Sequence, residues 1–226
     1  MKTVAIITAA GYGKRMGKPK QFLEIGGKPM LERTISVFEG TKAVDEIIVV
    51  VNQEDVERAK KFRFSKLKKI VAGGKERQDS VFNGLQALPP DAEMVAIHDG
   101  ARPFITSEII ERAVAEASKS GAVVVGVPLK DTIKMTNDKC QMSNEGHIIL
   151  KTFDRNCLWA AQTPQVFRKE IILRAYQEGK DKYQVTDDAM LVEKSGIPVK
   201  MVMGSYQNVK ITTPEDLKMA EGIFMG

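Results

Sequence analysis

Four segments of the chain concentrate residue types suited to handling phosphates. The first follows an apolar run, Val4-Ala5-Ile6-Ile7, and reads Ala9-Ala10-Gly11-Tyr12-Gly13-Lys14-Arg15-Met16-Gly17-Lys18-Pro19-Lys20. Glycines let backbone N–H groups approach a ligand closely, and the interleaved cations supply charge for something strongly anionic. The spacing is not that of a Walker loop, which needs G-x-x-x-x-G-K-[ST]. Nor is it G-x-G-x-x-G, because Met16 takes the place of the third glycine. Lys20, beyond Pro19 and well past the glycines, suggests a triphosphate gripped from the side by an extended loop. The competing reading of these residues alone is an ordinary solvated strand-to-helix loop.

The second segment is Gly73-Gly74-Lys75-Glu76-Arg77-Gln78-Asp79-Ser80. Its glycines permit close backbone approach, and Asp79 or Ser80 can bind a base or ribose, or simply cap the following helix. The third, His98-Asp99-Gly100-Ala101-Arg102-Pro103, follows Val95-Ala96-Ile97. An aspartate at a strand's carboxyl end beside a phosphate site is placed to hold Mg²⁺, with phosphate oxygens as further ligands. Arg102 can fork onto a second phosphate, or pair with Asp99 within the turn. His98 has no sequence partner that would make it a base and is read as a packed histidine. The fourth, Asn208-Val209-Lys210-Ile211-Thr212, is read as a short strand, and Lys210 by itself carries no signal.

The elements that must position these segments alternate. Lys2–Thr8, Glu46–Val51, Lys68–Val71, Met94–His98 and Ala122–Pro128 read as strands, and Met30–Glu39, Arg77–Leu88 and Ser107–Lys119 as helices. Such alternation predicts a mostly parallel, Rossmann-like α/β sheet with helices on both faces. Runs such as Ile47-Ile48-Val49-Val50-Val51 are apolar throughout, as strands covered on both faces should be. In open sheets of this kind ligands sit at the carboxyl ends of the strands, so the segments should converge there. A last helix is signalled by Thr213, Pro214, Glu215 and Asp216.

From Leu129 to Trp159 the rhythm breaks. Asp131–Thr136, a polar turn through Asn144-Glu145-Gly146, and His147–Thr152 predict a β-hairpin arm over 129–159, within a single domain spanning 1–226. An isolated hairpin is marginal in water, so it should pack on something, either a second subunit or its own domain.

Composition narrows the class. At 226 residues the chain fits one domain that buries roughly 70% of its unfolded surface. A net charge of +5 from 34 basic and 29 acidic residues favours small anionic ligands over nucleic acid, and the basic run Lys60–Lys69 reads as a solvated face. Cys140 and Cys157 form no disulfide framework, which points to a reducing cytoplasm, and with only His98 and His147 a Cys/His zinc site is not expected. No apolar stretch reaches transmembrane length, so no membrane partner is expected.

Read together, AAGYGKRMGKPKQFLEIGGKP, GGKERQDSV, HDGARPF, DTIK, TFDRNCLW, QTPQVF, VTDDA and NVKITTPEDL resemble the 2-C-methyl-D-erythritol 4-phosphate cytidylyltransferase family, in its order and spacing. The resemblance implies a nucleotidyltransferase-type domain that forms a homodimer through a protruding β-arm. It also implies the reaction of CTP with 2-C-methyl-D-erythritol 4-phosphate, giving the CDP-methylerythritol and pyrophosphate in non-mevalonate isoprenoid synthesis. By the same resemblance Ala9, Ala10 and Gly11 meet the nucleotide, Arg15 and Lys20 the triphosphate, and Gly74, Lys75, Arg77 and Ser80 the cytosine and ribose. Asp99 helps to hold Mg²⁺ and Lys210 reaches the α-phosphate. Arg102, Thr132, Arg155, Thr163 and Thr186 bind the methylerythritol phosphate, with Thr132 and Arg155 arriving on the partner's arm. One departure is Gln207, where some members have an acidic residue, so a second carboxylate on the metal is in doubt.

This chemistry explains an absence in the sequence. An already ionised acceptor phosphate needs no general base, which accounts for the lack of a candidate histidine base or paired carboxylates. The nearest alternative is the ribitol 5-phosphate cytidylyltransferase family, which favours a valine where Ala101 stands and Asp-Arg-Asn where Glu76-Arg77-Gln78 stand. A sugar or molybdopterin nucleotidyltransferase with a different base is a second. A non-catalytic nucleotide-binding module is a third, and would not need Arg102, Thr132 and Arg155. A NAD-dependent dehydrogenase is disfavoured by Met16.

Overall fold

The computed structural model describes residues 1–11, 20–137 and 147–225; Arg15 and the turn at Asn144-Glu145-Gly146 lie outside the described residues. The chain begins with β1 (Thr3–Ala9), the two-residue strands β2 (Glu24–Ile25) and β3 (Lys28–Pro29), and helix α1 (Met30–Gly40). Next come β4 (Glu46–Val51), α2 (Val56–Ala59), β5 (Leu67–Ala72), α3 (Arg77–Gln86), β6 (Met94–Asp99), α4 (Ser107–Ser120) and β7 (Ala122–Pro128). The arm strands β8 (Lys134–Thr136) and β9 (Ile149–Thr152) precede β10 (Trp159–Arg168), α5 (Lys169–Gly179), α6 (Asp188–Lys194), β11 (Lys200–Met203) and α7 (Pro214–Met225).

Seven strands form one sheet in the order β11-β7-β10-β6-β1-β4-β5, parallel except for β10, which runs antiparallel between β7 and β6. Strand side chains alternate in direction, and here the alternation builds two cores. Ala5 and Ile7 of β1, with Ile47, Val49 and Val51 of β4, join Leu31, Ile35 and Phe38 of α1 and Ile110 and Ala113 of α4 on one face. Val4, Ile6, Ile48 and Val50 join Val81 and Leu85 of α3, Ile172 and Tyr176 of α5, and Leu191 and Val192 of α6 on the other. The expected mostly parallel sheet with helices on both faces is present, its first five strands within one residue of their expected ends.

Two expectations change. β10 and β11 were not legible as strands. β10 carries Gln162, Thr163, Pro164 and Gln165, and a proline among polar residues argues against a central strand. The polar groups are nevertheless buried, because they bond to the segment before α7 and to α6. The expected strand Asn208–Thr212 is a loop. Its backbone groups bond to other loops instead of a ladder: Arg102 Nη1 donates to Asn208 O at 2.8 Å and Ile211 N donates to Ala101 O at 2.9 Å.

β8 and β9 pair antiparallel as a sheet of their own, as the hairpin reading expects. Ile148, Ile149 and Leu150 are 68%, 56% and 59% exposed, so the arm leaves its apolar edge uncovered within this chain. In the basic run Lys60–Lys69, Phe62 and Phe64 turn inwards against the core, which leaves the cations as a solvated face.

Candidate active site

A cleft of about 590 Å³ opens at the carboxyl ends of β1, β5 and β6, where the segments were expected to converge. Ala9, Ala10 and Gly11 line it from β1, Gly74, Lys75, Arg77 and Ser80 from the turn into α3, Asp99 and Ala101 from β6, and Lys20 and Lys210 from flanking loops. Gly73 is required here: a Cβ on it would run into Ala10 Cβ and Ser80 Oγ, so only glycine lets the β1 end and the α3 start approach.

Asp79 caps rather than binds. Its Oδ2 accepts from Glu76 N at 3.1 Å in a capping box, and Oδ1 pairs with Lys180 Nζ at 3.0 Å. Ser80 is 4% exposed, and its Oγ accepts from Gly74 N and donates to Glu76 O, both at 3.1 Å. The hydroxyl therefore shapes the glycine turn on the cleft wall.

Asp99 is the electrostatic centre. Lys210 Nζ lies 2.9 Å and Arg102 Nε 3.5 Å from its Oδ2, and Arg77 Nε 3.6 Å from its Oδ1. Burial alone would raise this carboxyl, but the facing cations, Lys210 first, hold it well below the usual carboxylate range. Asp99 is thus ionised at any physiological pH. Arg102, 12% exposed at its side chain, is pulled below the usual guanidinium value by burial and remains a cation. The loop carrying Lys210 is clipped in place: Lys20 Nζ donates to Ile211 O at 2.9 Å, and Asn208 Nδ2 donates to Gln162 Oε1 and Thr163 O at 3.2 and 3.0 Å.

His98 sits beneath, fully buried, and burial lowers its pKa to about 4. It is packed and neutral, not a base in the cleft. Thr163 is also below the surface, 4% exposed. Its hydroxyl accepts from Asp99 N at 3.1 Å and meets His98 Nδ1 at 2.9 Å, so it supports Asp99 from behind rather than presenting its oxygen to the cleft.

None of the five acceptor candidates lines the cleft: Arg102 and Thr163 lie against Asp99 beneath it, and the other three are exposed elsewhere. Thr132 and Arg155 are exposed on the arm and its base, Arg155 Nη1 donating to Lys130 O at 2.6 Å, and Thr186 is exposed just before α6. Gln207 is exposed, its N–H donating to Ser205 Oγ at 3.1 Å.

Sequence reasoning passed over Asp188, which is completely buried and grips Arg77 with both oxygens, at 3.1 and 2.7 Å. A signal was present. Asp187 and Asp188 both precede the apolar run of α6, whereas one cap suffices, and Asp187 is that cap through Met190 N at 3.0 Å.

Among the described residues no group of three or more His, Cys, Asp or Glu could enclose a metal. A carboxylate on the cleft, held in its ionised form by facing cations, fits instead a cation that takes its other ligands from water and nucleotide phosphates, as Mg²⁺ commonly does.

The family model of 2-C-methyl-D-erythritol 4-phosphate cytidylyltransferase matches residues 3–225. A protein of that name from Alkaliphilus metalliredigens is 48% identical, with 98% of this chain and 92% of the relative covered. Another, from Caldanaerobacter subterraneus, is 48% identical with 98% of each covered. Among solved structures, the 4-diphosphocytidyl-2C-methyl-D-erythritol synthase of Anaerococcus prevotii superposes with a TM-score of 0.87 at 35% identity, with 100% and 96% covered.

Proposed function

Since this chain belongs to the 2-C-methyl-D-erythritol 4-phosphate cytidylyltransferase family, we propose that the cleft around Asp99 is where its transfer takes place. The enzyme transfers a cytidylyl group from CTP to 2-C-methyl-D-erythritol 4-phosphate, in the isoprenoid pathway. A phosphate oxygen of the acceptor forms a bond to the α-phosphorus of CTP, and the bond from that phosphorus to the departing pyrophosphate breaks. The acceptor phosphate is already ionised, so no residue must remove a proton, in keeping with a buried, neutral His98.

The obstacle is charge: two polyanions meet, and negative charge shifts towards the leaving group. The observation that carries this reading is the convergence of Lys210, Arg102 and Arg77 on Asp99 beside the glycine-lined end of β1. In it, Ala9, Ala10 and Gly11 offer backbone to the nucleotide, Lys20 and Arg15 grip the triphosphate, and Lys210 moves from Asp99 to the α-phosphate. Gly74, Lys75, Arg77 and Ser80 make the wall for cytosine and ribose, and Arg102, Thr163 and Thr186 serve the acceptor phosphate. Asp99 would hold Mg²⁺, which supplies neutralising charge to the phosphates when bound.

Thr132 and Arg155 complete the site from a second copy in this reading. They are exposed on an arm whose apolar edge is uncovered, and a homodimer joined through the arm would bury that edge and deliver both to the neighbouring cleft. No helix among the described residues is long and apolar enough to cross a membrane. A cytoplasmic setting with no nucleic-acid partner belongs to the same reading.

Pyrophosphate release from four nucleotides, each paired with several polyol phosphates, tests the assignment. Release should require CTP, Mg²⁺ and methylerythritol phosphate together. Equal release with ribitol 5-phosphate would overturn the acceptor, and release without any acceptor would make the chain a nucleotide hydrolase.

A further inference from the structure

Asp188 is 0% exposed, yet its carboxylate forms an ion pair and both of its oxygens are bonded. Its Oδ1 and Oδ2 accept from Arg77 Nη1 and Nη2 at 3.1 and 2.7 Å, and Oδ1 also accepts from Tyr176 Oη at 2.6 Å. The backbone beneath it is pinned as well, the N–H groups of Asp188 and Ala189 both donating to Gln165 Oε1 at 3.0 Å. A buried ion pair gives little net stability over apolar residues of the same volume, so packing alone does not account for the arrangement. Its definite geometric effect is to fix the guanidinium of Arg77.

The other side of that guanidinium meets Asp99. Arg77 Nε stops 3.6 Å from Asp99 Oδ1, outside hydrogen-bond range, whereas Lys210 Nζ comes to 2.9 Å from Oδ2. An arginine left to a single carboxylate forks over both oxygens at roughly 2.7–2.9 Å. Arg77 does not do this to Asp99, because both of its η nitrogens are taken by Asp188.

We propose that Asp188, acting through Arg77, is a positioning residue that keeps Asp99 Oδ1 at ion-pair rather than hydrogen-bond distance from a cation, and so able to ligate the divalent cation that accompanies the nucleotide. The inference rests on the reading of Asp99 as that cation's protein ligand. Two carboxylates and three cations, Arg77, Arg102 and Lys210, make up the cluster. Removing the charge of Asp188 both strengthens the positive field at the metal position and lets Arg77 close on Oδ1.

The readout is the affinity for CTP by calorimetry, with Mn²⁺ and with the metal chelated, in the absence of acceptor. The ratio of the two affinities reports how far the protein shares in holding the cation. Asp188→Asn, close in shape but neutral, should lower this ratio about 10- to 100-fold, the range found when an outer partner of a metal ligand is lost. The double variant Arg77→Gln with Asp188→Asn, which leaves no unpaired buried charge, should return the ratio to the wild-type value or above. A merely structural role would make the double variant no better than the single. A folded Asp188→Asn protein with the wild-type ratio overturns the proposal, as does a double variant tenfold below wild type, which decides by itself if the single variant does not fold. Asp99→Asn judges the underlying reading: its ratio should collapse towards one, and if it matches wild type the metal assignment fails, independently of what Asp188 does to Arg77.

Discussion

Thr163 Oγ1 lies 2.9 Å from His98 Nδ1 while accepting the Asp99 N–H at 3.1 Å, so one hydroxyl ties the buried histidine to the carboxylate that closes β6. Arg102 O, 3.2 Å from Nε2, can only accept, so Nε2 carries a proton, and in the neutral ring Nδ1 is left to accept from the Thr163 hydroxyl. Burial disfavours the charged ring and lowers the His98 pKa from 6.5 to about 4, so the histidine is neutral in the folded protein at neutral pH.

A pH dependence follows. The unfolded chain takes up the His98 proton before the folded one, so the contribution is whole above pH 6.5 and is lost as pH falls towards 4. The full loss is on the order of 3 kcal/mol. Urea unfolding between pH 7 and 5.5, where carboxylates are still ionised, should show declining stability, and His98→Gln should flatten that decline. An equally steep decline in the variant would assign it elsewhere.

Lys20→Ala and Lys210→Ala should each lower kcat about 10²- to 10³-fold with small changes in melting temperature. Both side chains reach the cleft and neither packs in the core, Lys210 being 39% exposed and Lys20 donating to the loop at Ile211 O. Saturating-substrate rates with thermal melts on the same samples check this. Near wild-type kcat in two folded variants would return both lysines to ordinary surface roles.

Asn208→Ala should cost stability and rate together. It removes the donors to Gln162 Oε1 and Thr163 O, leaving buried acceptors unmet at a cost of about 1–3 kcal/mol, and slackens the loop that carries Lys210. The expected kinetic mark is a fall in kcat larger than any rise in KM for CTP. An unchanged kcat would show that Lys210 is held without this clip.

Arg155 should act in the neighbouring subunit's cleft. Arg155→Ala and Lys210→Ala homodimers should each be nearly inactive, whereas unfolding and refolding them together should restore activity. In a mixed dimer one cleft then collects both defects and the other collects neither. Heterodimers detected by mass spectrometry yet as inactive as their parents would place Arg155 in its own chain's site.

Much of the site was legible because its signals are local. A buried strand declares itself by an unbroken apolar run, and Glu46–Val51 and Ala122–Pro128 have the expected bounds. The last helix was readable from its cap, where Thr213 Oγ1 accepts from Asp216 N at 3.2 Å. Glycines beside strand ends and a lone aspartate closing β6 also speak through their neighbours in sequence. β10 was hidden for the opposite reason. Gln162, Thr163 and Gln165 look like loop residues until their partners, Ser205, His98 and Asp188, are known.

By itself, then, the sequence determined the layered sheet, the end of it that carries chemistry, and the anionic kind of ligand. These depend on periodicity, chain reversal and residue type, which act over a few positions. Only the tertiary structure decided how the charges are shared. Asp99 is flanked by cations from positions 77, 102 and 210, and Arg77 is held in turn by Asp188, 111 residues further along the chain. Coulomb and hydrogen-bond energies depend on separation in space and on burial, and neither is written in the spacing of the residues.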